Sequence, residues 1–300
     1  MTSREKHDLR CGLAFCAPWF IGLGVFMMYP VVASLFYSFC DYSVLQSPVW
    51  IGLENYHRMA GDAVFWQSLK NTLFYAALSL PLGMIVSLLL AMLLNTQVRG
   101  MTVFRVIFYL PAIIPIVAGS MLWLWIFNGQ YGLLNWALRP ILGVLGQAPP
   151  TWLADPVWAK PALVLMSLWG MGNSMVIYLA GLQDVPKELY ESAEIDGASW
   201  WGRLWHITLP MISPVIYFNL IMGIIGTLQV FTQVFVMTGG PEGAPARSTL
   251  FYALYLFSTA FYDLRMGYAS AMAWILLLLI LLLTALAFWS SKKWVYYQGK

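Results

Sequence analysis

Residues 184–210 read DVPKELYESAEIDGASWWGRLWHITLP, a polar island between two long apolar runs. Five of the chain's thirteen acidic residues fall in it: Asp184, Glu188, Glu191, Glu194 and Asp196. The pattern predicts two short helices. Asp184 is placed to cap the first, Pro186 suits its first turn, and Glu188 and Glu191 lie toward the positive end of its dipole. Gly197 ends that helix, because glycine enters the left-handed conformation without a Cβ clash. Ser199 follows as the N-cap of a second helix that Pro210 closes. Leu189, Tyr190 and Ala193 share an apolar side of the first helix, and Leu204 and Trp205 share one on the second. Two apolar stripes on a short surface element call for a partner that covers them.

Outward from the island, the chain is 60% hydrophobic and 10% charged over 300 residues. A soluble domain is nearer about 45–50% apolar, so this is a membrane protein. A spanning helix needs about 20 mostly apolar residues. Six runs without an ionisable residue meet that length: approximately 11–39, 71–95, 106–127, 161–182, 212–237 and 268–290. The first is long enough to tilt or kink at Pro18 or Pro30, and Pro81, Pro111 and Pro115 predict local breaks in the second and third. The first run lacks a small-residue cleavage site and leads into further spans, so it reads as a retained anchor. Cys11, Cys16 and Cys40 show no metal-ligand or disulfide spacing and read as small packing residues.

Six spans put both termini on one side. With that side cytoplasmic, the inside carries Arg4, Lys6, Arg10, Arg99, Arg105, Lys187, Arg203, Lys292, Lys293 and Lys300. The outside carries Arg58, Lys70, Arg139, Lys160, Arg247 and Arg265. The density of positive charge favours both termini inside and places the island in the cytoplasm. A net charge of +3 without a basic stripe excludes a nucleic-acid surface. The three external connections, roughly 40–70, 128–160 and 238–267, are rich in aromatic residues, Gly and Pro. They serve as interfacial anchors or as a docking surface for an external protein. Lys292, Lys293, Trp294, Tyr296 and Tyr297 form an interface anchor at the far end.

No phosphate loop, HExxH, GxSxG or cluster of His and carboxylates occurs in the chain. His7, His57 and His206 are far apart in sequence and have no metal-ligand spacing. Transporters driven by protons or sodium commonly keep an ionisable residue in the membrane, and these spans hold none. Energy for uphill transport must therefore come from another chain, and the island offers an ATP-hydrolysing subunit a place to push. Within the spans the polar residues are neutral. Asn219, Met222, Gly226, Gln229 and Gln233 recur at three- or four-residue intervals along one helical face, and Trp169, Gly170 and Asn173 form a local patch. Amides and glycines of this kind also serve helix packing in membranes. The sharper reading is a sugar-like ligand, with amides for hydroxyls, an aromatic ring for stacking and glycine for room.

The island resembles the EAA loop of ABC importer permeases, whose pattern is E-A-A, three residues, G, nine residues, I-x-L-P. Here it reads Glu191-Ser192-Ala193, three residues, Gly197, nine residues, Ile207-Thr208-Leu209-Pro210. Ser192 is the one departure, a small-for-small change. LYESAEIDGAS and ITLP are similar to the carbohydrate branch, of the maltose and glycerol-3-phosphate type. The resemblance continues through APWFIGLGVFMMYPVVASLFYSF, GLENY, FYLPAIIP, GLQDVPKELY and MTGGPEGAP, whose Gly-Gly-Pro resembles the first permease of a pair.

The resemblance implies an all-α polytopic membrane protein with six transmembrane helices, in the type I ABC importer permease fold. A cytoplasmic tail over 1–10, a permease domain over 11–290 and a second tail over 291–300 are expected. It implies one half of a heterodimer in the inner membrane, joined by two ATP-binding subunits, which carry ATP and Mg, and by an external solute-binding protein. Glu191, Ser192, Ala193, Asp196 and Gly197 would be coupling positions, with Ile207, Leu209 and Pro210 setting the return into the fifth span. The expected activity is import of a carbohydrate or polyol, without catalysis or a cofactor on this chain. The alternatives are a membrane-embedded enzyme acting on lipid-linked sugars and a non-transporting structural or sensor subunit.

Overall fold

The computed structural model describes residues 2–96, 98–144 and 146–296, and is helical nearly throughout. Lipid offers the backbone no hydrogen bonds, so apolar runs of this length satisfy their own as helices. α1 (Ser3–Gly22) opens with a capping box between Thr2 and Glu5 and runs through a π-helical segment, Leu23–Met28, into α2 (Tyr29–Ser38). A two-residue antiparallel ladder of β1 (Cys40–Asp41) and β2 (Val49–Trp50) leads to α3 (Glu54–Gly61) and the long α4 (Ala63–Leu94). Then come α5 (Met101–Ile113), α6 (Ile116–Ile126), α7 (Leu133–Val144), α8 (Ala159–Trp169) and α9 (Gly172–Gln183). The polar island holds α10 (Lys187–Ile195), α11 (Trp200–Arg203), a second π segment (Leu204–Thr208) and α12 (Leu209–Met211). α13 (Ser213–Leu228), α14 (Thr232–Met237), α15 (Tyr252–Phe261) and α16 (Met266–Trp294) complete the chain. Tyr297 and Lys300 of the expected terminal anchor and tail lie outside the described residues.

Three helices are long and apolar enough to cross a membrane alone: Ser3–Ser38, Ala63–Leu94 and Met266–Trp294. Three bent pairs meet the same test together, which gives up to six crossings when each pair is counted as one span. They are α5 with α6 at 98°, α8 with α9 at 47°, and Trp200–Met211 with α13 at 65°.

The prolines account for one of these breaks. Ile114 is extended (φ −67°, ψ 129°), as a residue before proline prefers, and the chain turns at Pro115. The breaks expected at Pro81 and Pro111 do not occur, since both lie inside helices. Pro30 also leaves its helix unbroken. Ahead of it the Tyr29 N–H bonds back to the Gly24 carbonyl, a wide turn that makes room where a proline would strike the preceding carbonyl. The fifth run departs from expectation. α13 stops at Leu228 and α14 resumes at Thr232, with Phe231 at φ −138°, ψ −65°. The interruption lets Val230 and Phe231 join an aromatic cluster with Trp123, Phe127 and Trp152.

The chain forms two compact units. The smaller reaches from the N-terminus to Asp62 and includes Leu256–Leu277. Within it Asn55 donates to the carbonyls of Ser38 (3.0 Å) and Cys40 (2.9 Å), and the Tyr268 hydroxyl donates to Asp62 (2.8 Å). Cys11 and Cys16 are exposed and Cys40 is buried, all three as free thiols. The larger unit comprises Ala63–Tyr255 and the chain from Leu278 onward. One of its cores gathers Tyr75, Trp123, Leu163, Met166, Val234 and Phe251, and a second, nearer the island, gathers Leu94, Met175, Tyr178, Leu182 and Ile212. Lipid is as apolar as these side chains, so helices here are held by close contact rather than by exclusion of water. Glycine supplies the contact: a Cβ on Gly172 would stand 3.0 Å from the Tyr109 Cα.

Candidate functional site

The island folds as two helices joined by a tight turn at Gly197. At its start the expected cap is corrected: Asp184 is helical (φ −80°, ψ −10°) and ends α9, while Pro186 (φ −57°, ψ 130°) precedes α10. Val185 is buried in the core cluster with Leu182 and Ile212, which commits the chain to turn there rather than at Asp184. α10 closes as predicted. Gly197 is left-handed at φ +73°, its N–H bonds to the Glu194 carbonyl (3.1 Å), and the Ala198 N–H bonds to the Ala193 carbonyl (2.8 Å). Ser199 caps the second helix, accepting from the Gly202 N–H at 3.2 Å.

Pro210 does not close that helix, contrary to expectation. The π segment places the Leu209 N–H on the Leu204 carbonyl, which widens the turn ahead of the proline, and the helix continues to Met211. The Tyr190 hydroxyl and Thr208 Oγ1 lie 2.9 Å apart and tie the two helices together. Arg203 pairs with Glu194 at 3.3 Å on the surface.

Glu191, Ser192, Asp196 and Gly197 are exposed and Ala193 is half-buried. Ile207 and Leu209 pack against the core cluster, and Pro210 is half-buried beside them. The island therefore presents its first helix and the glycine turn outward while its return strand of contacts anchors it. Ile195, Trp200, Trp201 and Trp205 are exposed on the same element. Ile195 and the Trp200-Trp201 pair escaped the sequence reading, although two adjacent tryptophans beside a polar loop were a visible signal.

Two of the cavities in the larger unit are lined by polar residues of the spans. One, of about 220 Å³, is lined by Tyr75, Gly119, Ser167, Trp169, Gly170 and Gln233, among others. The other, of about 250 Å³, is lined by Tyr75, Ser79, Ser174, Asn219, Met222 and Thr227, among others. Tyr75 and Ser167 border both. Of the expected pathway residues, Trp169, Gly170 and Gln233 meet at the first cavity, and Asn219 and Met222 at the second. Asn173, Gly226 and Gln229 line neither and are exposed. The bend after α8 turns Asn173 away from Trp169. Gln229 sits at the interruption after α13 (φ −105°, ψ 15°), so it shares no continuous helical face with Gln233.

The missed lining residues include Tyr75, Ser79 and Gly83 of α4, beside Gly119 of α6, Ser167 of α8, Ser174 of α9 and Thr227 of α13. Asn71, Tyr75, Ser79, Gly83 and Ser87 recur every fourth position and are buried. That repeat is legible in the sequence as one polar stripe on an apolar helix. Ser79 Oγ is buried at the second cavity without a hydrogen-bond partner, and Asn219 spends its Nδ2 on the Val215 carbonyl (3.0 Å). A cavity bordered by hydroxyls, amides and an indole suits a polyhydroxylated solute. Among the described residues no cluster of His, Cys, Asp or Glu is grouped to hold a metal ion.

The sequence matches the family described as "Binding-protein-dependent transport system inner membrane component" over residues 79–296. It is 41% identical over 297 residues to the probable ABC transporter permease protein YesP of Bacillus subtilis, covering 98% of this chain and 94% of that one. It is 36% identical to the lactose transport system permease protein LacF of Rhizobium radiobacter, covering 97% and 98%. It is 33% identical to the trehalose/maltose transport system permease protein MalF of Thermococcus litoralis, covering 95% of each. A chain in the crystal structure of a bacterial alginate ABC transporter, in complex with an alginate pentasaccharide-bound periplasmic protein, superposes with a TM-score of 0.82. That chain is 25% identical, with 96% of each covered. The helical fold is that of an ABC importer permease, and the family is one of transport subunits rather than enzymes. The chain belongs to the inner-membrane components of binding-protein-dependent transport systems.

Proposed function

We propose that the chain is a permease subunit of an ATP-driven importer that passes a carbohydrate or polyol across the inner membrane by alternating access. The lactose and trehalose/maltose systems named for two relatives support the substrate class. In this reading the chain is the first permease of a heterodimer. Two ATP-binding subunits hold ATP and Mg, and an external solute-binding protein delivers the solute. Residues 11–290 form the permease domain between cytoplasmic tails over 1–10 and 291–300, and the 184–210 loop faces the cytoplasm. Glu191, Ser192, Ala193, Asp196 and Gly197 couple to the ATPase, with Ile207, Leu209 and Pro210 seating the loop.

The observation that carries this reading is the island itself, an outward-facing pair of short helices closed by a left-handed glycine. A second observation supports the heterodimer. Asn173 and Gln229 are exposed on the single chain, and an amide left against hydrocarbon is costly. A second permease subunit would cover them and complete the pathway with Trp169, Gly170, Asn219, Met222, Gly226 and Gln233.

The test is reconstitution of the permease pair with its ATP-binding subunits and solute-binding protein in proteoliposomes. ATP-dependent accumulation of sugar, with ATPase activity stimulated by loaded binding protein, is expected. Accumulation without ATP, or a permease pair that never co-purifies with an ATPase, would overturn the proposal.

A further inference from the structure

Asn71 lies one helical turn from Tyr75, at the end of the α4 stripe farthest from the island. Its Nδ2 donates to the carbonyls of Arg247 (2.9 Å) and Leu250 (3.1 Å). Those two bonds fix the amide and turn Oδ1 toward the Lys160 ammonium, which donates to it at 3.2 Å. The same Nζ stands 4.9 Å from the centre of the Phe74 ring. Lys160 opens α8 one turn before Leu163, which lines the first cavity with Tyr75. A half-buried cation is therefore held one helical turn beyond the cavity, by an amide that is itself locked in place.

Its partners are an amide oxygen and an aromatic face, both neutral. Among the described residues no carboxylate pairs with it. Outside the island, the acids of the larger unit are Asp155 and Glu242. Asp155 accepts from the Val157 N–H at 2.8 Å, and Glu242 is exposed. A half-buried cation whose contacts are all neutral gains an opposite charge when an anionic ligand approaches it.

We propose that Lys160 is a selectivity residue at the outer end of the pathway and that the solute is an anionic carbohydrate, bearing a carboxylate of the uronate type. This rests on the carbohydrate-permease reading and narrows it. Lys160 acts on the anionic group as it enters, and Asn71 is its positioning residue. Charge-assisted hydrogen bonds of this kind are about twice as strong as neutral ones, which makes one ammonium sufficient to discriminate.

The test presents the reconstituted transporter and its binding protein with a pool of short oligogalacturonates, oligomannuronates, galactooligosaccharides and maltooligosaccharides. ATP-dependent accumulation is read by mass spectrometry. Acidic oligosaccharides are expected inside. Lys160→Gln lowers their accumulation roughly tenfold at unchanged complex yield, and Lys160→Arg retains most of it. Accumulation of neutral sugars with the acidic ones left outside overturns the assignment, as does a wild-type rate for acidic sugars in Lys160→Gln. Accumulation of no member of the pool, with stimulated ATPase activity intact, overturns the carbohydrate reading together with the assignment that rests on it.

Discussion

The phenolic oxygen of Tyr190 lies 2.9 Å from Thr208 Oγ1, bridging the two helices of the island across the Gly197 turn. Thr208 Oγ1 also lies 3.3 Å from the Arg203 carbonyl, so the bridge is continued into the backbone of the second helix. A force applied to α10 thereby reaches the segment that enters α13. Tyr190→Phe removes one hydrogen bond, worth about 1 kcal/mol, and leaves the packing of the ring. Assembly with the ATPase is expected to be normal and stimulation by loaded binding protein to fall several-fold. Full stimulation in this variant would show that the bridge transmits nothing.

Gly197→Leu and Glu191→Lys test the outer surface of the island. Nothing lies within 4 Å of a Cβ at Gly197, so the strain comes from the left-handed backbone alone and the rest of the fold is spared. Lys at 191 reverses an exposed charge. Both chains should insert, while co-purification of the ATPase or its stimulation drops. Wild-type values for both quantities would remove these residues from the coupling surface.

Gly172 and Gly226 make opposite predictions for assembly. A Cβ at Gly172 meets the Tyr109 backbone at 3.0 Å, whereas one at Gly226 meets nothing within 4 Å. Gly172→Leu forces α9 off α5 and should cost about 1–3 kcal/mol or more, read as a lower yield of folded chain in detergent. Gly226→Leu should leave the yield of the single chain unchanged. Equal yields would mean that α9 and α5 are not closely packed in the membrane.

Gln233→Leu should weaken uptake several-fold, since it removes an amide from the first cavity at nearly constant bulk. Gln229→Leu changes an exposed amide outside both cavities, so any loss it causes should track the yield of the permease pair instead. Uptake set against complex yield in the two variants separates a solute contact from a subunit contact. A Gln233→Leu transporter with normal uptake would move the pathway to another face.

Topology is tested with Lys187→Cys and Glu242→Cys, both at exposed positions, after replacing the exposed Cys11 and Cys16. A membrane-impermeant maleimide should label Glu242→Cys in intact cells and Lys187→Cys only after lysis. Labelling of both from one side would contradict the six-span orientation.

The sequence by itself determined the class of fold, because runs of twenty apolar residues have few stable alternatives to a spanning helix. It also determined the island's turn, since Gly197 and Ser199 act through their own backbone and nearest neighbours. The stripe from Asn71 to Ser87 was equally legible as a four-residue repeat, though the amides of the fourth and fifth runs drew the reading away from it. Only the tertiary structure decided where helices break and which polar residues meet. Pro81 and Pro111 fit within helices, while the fifth run opens at Gln229, where Val230 and Phe231 pack into the aromatic cluster. A break of that kind depends on partners far away in sequence. It separates Gln229 from Gln233, just as the packing of α8 on α4 brings Asn71 and Lys160, 89 positions apart, into direct contact.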